Sequence, residues 1–188
     1  MTRQKDPGIS SERLSLLLKV GLRLASERDG ERLLRMIIEE TTAVMDAERS
    51  SLFLIDREKN EMWAKIAQGA EVHEIRFPLG LGIAGTVGRT GAAINIPDAY
   101  RDSRFNPEFD KKTGFRTRSI LCVPMKNLHG EILGAIQVLN KHDGSFDAGD
   151  ETLLTALAAQ AAVTIENADL YRKLSELNLS LEKRVEAR

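Results

Sequence analysis

From Ser11 to Met45, and again from Asp147 to Arg188, apolar residues recur at helical spacing; between these blocks they sit in short strand-like runs separated by turns. A chain ordered helices, strands, helix is expected to fold as α+β, an antiparallel sheet with helices packed on one side. Residues 1–9 read as a disordered lead. Ser10 or Ser11 is placed to cap a first helix, assigned to 10–28, with Leu14, Leu17, Leu18, Gly21, Leu24 and Ala25 along one stripe. Asp29 caps a second helix, whose stripe is Leu33, Leu34, Ile37, Ile38, Thr41, Val44 and Met45.

Strands are expected over residues 51–56, 61–68, 72–78, 93–96, 118–125 and 131–139. The polar turn at 57–60 joins the first two as a hairpin, and that at 127–130 the last two. Between them lie a glycine-rich stretch, 80–91, with a short helix centred on Ile83 to Arg89, and a polar segment, 99–115, that reads as irregular.

In the last helical block Ala156, Val163, Leu170 and Leu177 share one heptad position, and Gln160, Asn167, Leu174 and Leu181 another. This is the spacing of a coiled-coil seam, with a solvated amphipathic helix as the alternative. Asn167 at an a-type position favours a parallel dimer in register. The seam weakens at Arg184 and Val185, so residues 166–188 read as a signalling helix leading to a covalently attached output domain beyond residue 188.

Composition narrows the function. A net charge of −1 carries no electrostatic footprint for nucleic acid or an anionic membrane. One cysteine, Cys122, excludes an internal disulfide framework and a multi-cysteine zinc site, and fits the cytoplasm. No apolar run approaches the roughly 20 residues of a membrane span, and the N-terminus lacks the apolar segment of a secretory signal. His73, His129 and His142 are scattered without a partner at ligand spacing. Cys122 alternates with Ile120 and Pro124 in a strand and reads as a core residue. No catalytic residue or metal site is expected.

Gly80-Leu81-Gly82-Ile83-Ala84-Gly85 matches G-x-G-x-x-G formally, but the parallel crossover of a dinucleotide fold is missing. The stretch is equally consistent with a structural turn and with an anion site at the amides of Ile83 and Ala84.

Several segments together resemble a GAF domain of the type found in cyclic-nucleotide phosphodiesterases and some bacterial adenylyl cyclases. They are Ser51-Leu52-Phe53-Leu54, Gly82-Ile83-Ala84-Gly85, Asn95-Ile96-Pro97-Asp98-Ala99-Tyr100, the run from Thr113 to Met125, and Asn140-Lys141 with Phe146, Asp150 and Glu151. They fall in the family's order, and the domain is assigned to 29–165. The resemblance implies a six-stranded antiparallel sheet with helices on one face and long N- and C-terminal helices that dimerise. It implies a regulatory, non-catalytic role, with no cofactor beyond a regulatory small-molecule ligand such as cAMP or cGMP.

It also implies a pocket. Ser51 matches a strand serine that contacts the base, Ile83 and Ala84 the amides that hold the cyclic phosphate, and Asp110, Thr113 and Thr117 positions that close over the ligand. Four positions depart from the cGMP-binding pattern: Ala67 and Gln68 replace an aromatic and an aspartate at the purine, Asn106 a tyrosine, and Gln137 a glutamate. Losing the guanine-reading acid tilts the expectation slightly toward cAMP; a ligand-free dimerisation and signal-relay module of a sensor kinase or other signalling protein is the alternative. Asn140, Lys141, Phe146, Asp150 and Glu151 form the family's signature. Within it Lys141 and Asp150 are placed to pair and fasten the last strand to the long helix.

Overall fold

Ser10 caps α1 (Ser11–Ser26), its hydroxyl accepting from the Arg13 amide, and Asp29 caps α2 (Gly30–Val44) by accepting from the Arg32 amide. The computed structural model describes residues 10–68 and 71–186, with the backbone alone at 65–68, 71–73 and 184–186; the expected lead at 1–9 lies outside them. The buried face of α1 is Leu17, Val20, Gly21 and Leu24, whereas Leu14 and Leu18 are exposed. The buried stripe is thus rotated toward Val20 from the expected one, because α1 packs against both α2 and the long final helix.

The strands are β1 (Ala47–Asp56), β2 (Glu61–Gln68), β3 (Glu71–Pro78), β4 (Ile94–Ile96), β5 (Ile120–Lys126) and β6 (Ile132–Lys141). They form one sheet in the order β3-β2-β1-β6-β5-β4, antiparallel at every pairing. Antiparallel pairing throughout removes the parallel crossover that dinucleotide binding at the glycine stretch would need. β1 begins at Ala47, earlier than expected, because residues 47–50 pair with the end of β6 even though Glu48 and Arg49 face solvent.

Strand alternation sends side chains to two cores. Leu52, Leu121, Val123, Ile136 and Val138 point to one face and pack with Leu17, Leu24, Leu33, Ile37, Leu153, Leu154 and Leu157 of the long helices. Phe53, Ile120, Cys122 and Ala135 point to the other, against Ile83, Ala84 and Val87 of α3 (Gly82–Thr90). The long helices therefore share one face, as expected, and the short α3 covers part of the opposite one.

The 99–115 segment is not wholly irregular. It contains a short 3-10 turn, Ala99–Arg101, and a further helix, α4 (Glu108–Thr113). Six residues make fewer than two helical turns, too few for an apolar period to register. The final helix, α5, runs unbroken from Ala148 to Glu186. Its Gln160 is not free for an intermolecular seam, because the side-chain amide lies over Gly21 of α1, where an added Cβ would stand 1.6 Å from Nε2.

Candidate ligand site

Register places four side chains in a line across the α3 face. Ser51 of β1 pairs with Gln137 of β6, Gln137 with Cys122 of β5, and Cys122 with Ile94 of β4. Directly paired residues project to the same side. Cys122 is fully buried, and burial pushes its thiol far above the ordinary range, so it is an inert core residue. Ser51 and Gln137 are only half-buried and form the accessible part of this floor.

On the same face lies α3, whose Ile83 and Ala84 pack with Phe53, Cys122 and Ala135. Its N-cap, Leu81, has an apolar side chain that cannot accept from the first-turn amides, which include those of Ile83 and Ala84. Ile83 and Ala84 are themselves 6% exposed and pack into the core of this face. The turn entering α3 closes through a bond from the Gly80 amide to the Gly85 carbonyl at 3.0 Å. A Cβ on Gly85 would meet Gly80 N at 3.0 Å and Pro78 O at 3.3 Å, so any side chain there would push on the backbone of this turn. Open amides and the positive end of the helix dipole suit an anionic group at this point.

The loop residues divide. Asp110 is 4% exposed and accepts from Tyr100 Oη at 3.0 Å, the Thr117 amide at 2.7 Å and Thr117 Oγ1 at 2.8 Å. Thr113 is half-buried and donates back to the Phe109 carbonyl at 2.9 Å. Asn106 is exposed, and its Oδ1 accepts from the Glu108 amide at 3.0 Å at the start of α4. Ala67 and Gln68 lie on β2, but their side chains fall outside the described residues. Tyr100, at the end of the segment Asn95–Tyr100, joins the site although its sequence position alone does not mark it as a partner of Asp110. Partial desolvation of its hydroxyl, followed by the bond to Asp110, raises its phenol above the ordinary range although the residue is 46% exposed.

The signature residues lie away from this floor. Lys141 Nζ pairs with Asp150, whose carboxylate also takes Arg13 Nη2 at 3.2 Å and the Asp147 amide at 3.0 Å. Asp150 in turn donates its amide to Asp147 Oδ1 at 2.8 Å, and that bond is the main cause of the lowered pKa of Asp147. Glu151 sits in the same first turn of α5, where negative charge is favourable. Asn140 is fully buried with φ at +55°, accepts from the Arg118 amide at 2.5 Å, and donates to Arg116 O at 2.8 Å and Glu48 Oε2 at 3.0 Å. Phe146 is buried in the long-helix core, and its carbonyl accepts from Asn95 Nδ2 at 3.0 Å. This set fastens β6, the approach to β5 and the start of α5 together.

Among the described residues no three or more His, Cys, Asp or Glu side chains are grouped to hold a metal, and no helix is long and apolar enough to cross a membrane. His129 and His142 are both exposed, at a turn and in a loop, and the side chain of His73 is outside the described residues.

Comparison with known proteins agrees with this architecture. The Caenorhabditis elegans protein named Probable 3',5'-cyclic phosphodiesterase pde-5 is 40% identical over 143 residues, 70% of this chain and 20% of that protein. The Drosophila melanogaster Dual 3',5'-cyclic-AMP and -GMP phosphodiesterase 11 is 34% identical over 167 residues, 80% of this chain and 12% of that protein. The chain thus spans a fifth or less of the length of these relatives. The crystal structure of the GAF domain from the Acinetobacter phosphoenolpyruvate-protein phosphotransferase shares the fold, with a TM-score of 0.72 at 21% identity, over 87% of this chain and 99% of that one. The sequence profile of the GAF domain matches residues 29–165, and the chain belongs to the GAF domain family.

Proposed function

We propose that this regulatory domain binds a cyclic nucleotide, cAMP or cGMP, on the α3 face of its sheet. The observation that carries the reading is the uncapped start of α3 standing over the same face as the half-buried Ser51–Gln137 pair. That arrangement offers an anion site for the cyclic phosphate and two neutral hydrogen-bonding side chains for a base or ribose. Relatives named as cyclic-nucleotide phosphodiesterases at 34–40% identity support the ligand class. Calorimetric titration with cAMP and cGMP tests it. Saturable heat with either nucleotide, weakened by Ser51→Ala and Gln137→Ala, is expected; no heat at millimolar nucleotide refutes it.

The signal then leaves through a homodimer of terminal helices and reaches an output domain in a longer cytoplasmic protein. On α5, Leu170, Leu174, Leu177 and Leu181 are 49–62% exposed, and at 100° per residue they span only about 60° of the helix circumference. Leu14, Leu18 and Leu22 of α1 are likewise exposed. Sedimentation equilibrium should return a dimer that Leu174→Asp with Leu177→Asp converts to a folded monomer. A second reading, a relay without nucleotide, is favoured by one observation: Asp110 and Thr117 already satisfy each other.

A further inference from the structure

A short helix is ordinarily held to a domain by apolar side chains. In α4 the one buried residue is Asp110, a carboxylate, while Phe109 remains 37% exposed. Every donor to that carboxylate is neutral. Two come from Thr117, just ahead of β5, and the third is Tyr100 Oη from the 3-10 turn. Thr117 is buried; Tyr100 is itself 46% exposed, but its backbone neighbour is anchored. Ala99, beside Tyr100, is fully buried and gives its amide to Arg118 O at 2.7 Å. Thr117 is 3% exposed. Arg116 lies over the Tyr100 ring, 4.7 Å from its centroid, and Phe105 packs at 5.2 Å from the same ring and against the α3-face core.

We propose that Asp110, Thr117 and Tyr100 form a polar latch that keeps α4 shut against the domain without any ligand, so that Asp110 is a positioning residue rather than a ligand contact. Opening a packed apolar stripe exposes its whole area to water, whereas a carboxylate released from its donors is hydrated in their place. An element held mainly by bonds to one carboxylate therefore opens locally at little cost and recloses in one register, as a lid requires. Opening exposes the Asp110 charge to water, and closing needs all three groups aligned. The consequence for ligand entry rests on the cyclic-nucleotide reading; the latch itself does not.

Amide hydrogen exchange on the full chain, with no nucleotide added, tests the latch. Asp110→Asn presents one oxygen where the carboxylate has two, and turns a donor toward one of the Thr117 groups. Exchange at residues 108–117 should quicken at least tenfold, with β6 and the buried half of α5 unchanged. Tyr100→Phe removes a single bond and should quicken the same segment a few-fold, which keeps the test available if Asp110→Asn does not fold. Unchanged exchange in Tyr100→Phe and in folded Asp110→Asn overturns the latch. Repeating the measurement with saturating cAMP or cGMP separates the two ideas: faster exchange in the variants with no nucleotide effect on wild type keeps the latch and defeats the nucleotide reading.

Discussion

Replacing Asp150 by alanine tests whether the signature residues hold the fold together rather than touch a ligand. The Asp150 side chain is 3% exposed and receives Lys141, itself 17% exposed, together with Arg13 and the Asp147 amide. Removing it strands a largely buried ammonium, which typically costs about 3–5 kcal/mol, and removes a bond at the start of α5 worth about 1 kcal/mol. Some of the ammonium's cost is relieved because Lys141 can turn toward water. The expected loss is therefore about 3 kcal/mol, a large share of the roughly 5–15 kcal/mol that holds a domain together. At about 2–4 °C per kcal/mol for a chain of this size, the melting temperature should fall by about 6–12 °C. Urea unfolding of the wild type, Asp150→Ala, Lys141→Met and the double variant measures it. With Lys141 already replaced, Asp150→Ala strands no ammonium, so the two changes should couple by about 1–3 kcal/mol. A loss below 1 kcal/mol, or additivity within about 0.5 kcal/mol, would refute the pairing as the source of the stability.

Asn140→Ala removes three part-buried hydrogen bonds made by a fully buried side chain and puts a Cβ residue without a local side-chain bond at φ +55°, so urea unfolding should show a loss of about 3 kcal/mol. Cys122, fully buried with its thiol raised, should resist a thiol-specific disulfide reagent in native buffer and react within seconds in denaturant; fast labelling of the native protein would contradict its place under α3. Asp102 is held down to a pKa of about 2, chiefly by the Arg104 guanidinium and also by the Arg104 amide. Because that value is below the ordinary one, its contribution to stability is complete above about pH 4 and is lost as pH falls toward 2. NMR titration of its carboxyl carbon should show the low midpoint, and Arg104→Ala should move it back up.

Much of the fold could be read along the chain because its long elements carry their own period. α2 and the long helix α5 show apolar stripes over several turns, and Ser10 and Asp29 announce their helices. The elements misjudged are those whose pattern is short or set by neighbours. α4 has six residues and one buried side chain, a charged one, so no hydrophobic signal marks it. The early residues of β1 look solvent-facing, and only β6 makes them a strand. Asn140 gave a hint through its type, since asparagine tolerates positive φ, but its partners Glu48, Arg116 and Arg118 come from two other parts of the chain.

By itself the sequence determined the helical ends, the strands between them, the caps, the absence of a multi-cysteine site and the family segments in their order. The tertiary structure decided which groups meet. Ser51 and Gln137 are far apart in the chain and become neighbours through antiparallel register alone. Gln160 carries a seam position in its spacing, yet packs on Gly21 once α1 lies against α5. Asp110 and Thr117, matched to a ligand by resemblance, are bound to each other by a loop that folds back on itself. Local periodicity reports which side of an element is apolar; it is silent on what that side faces, because that depends on chain closure over long separations.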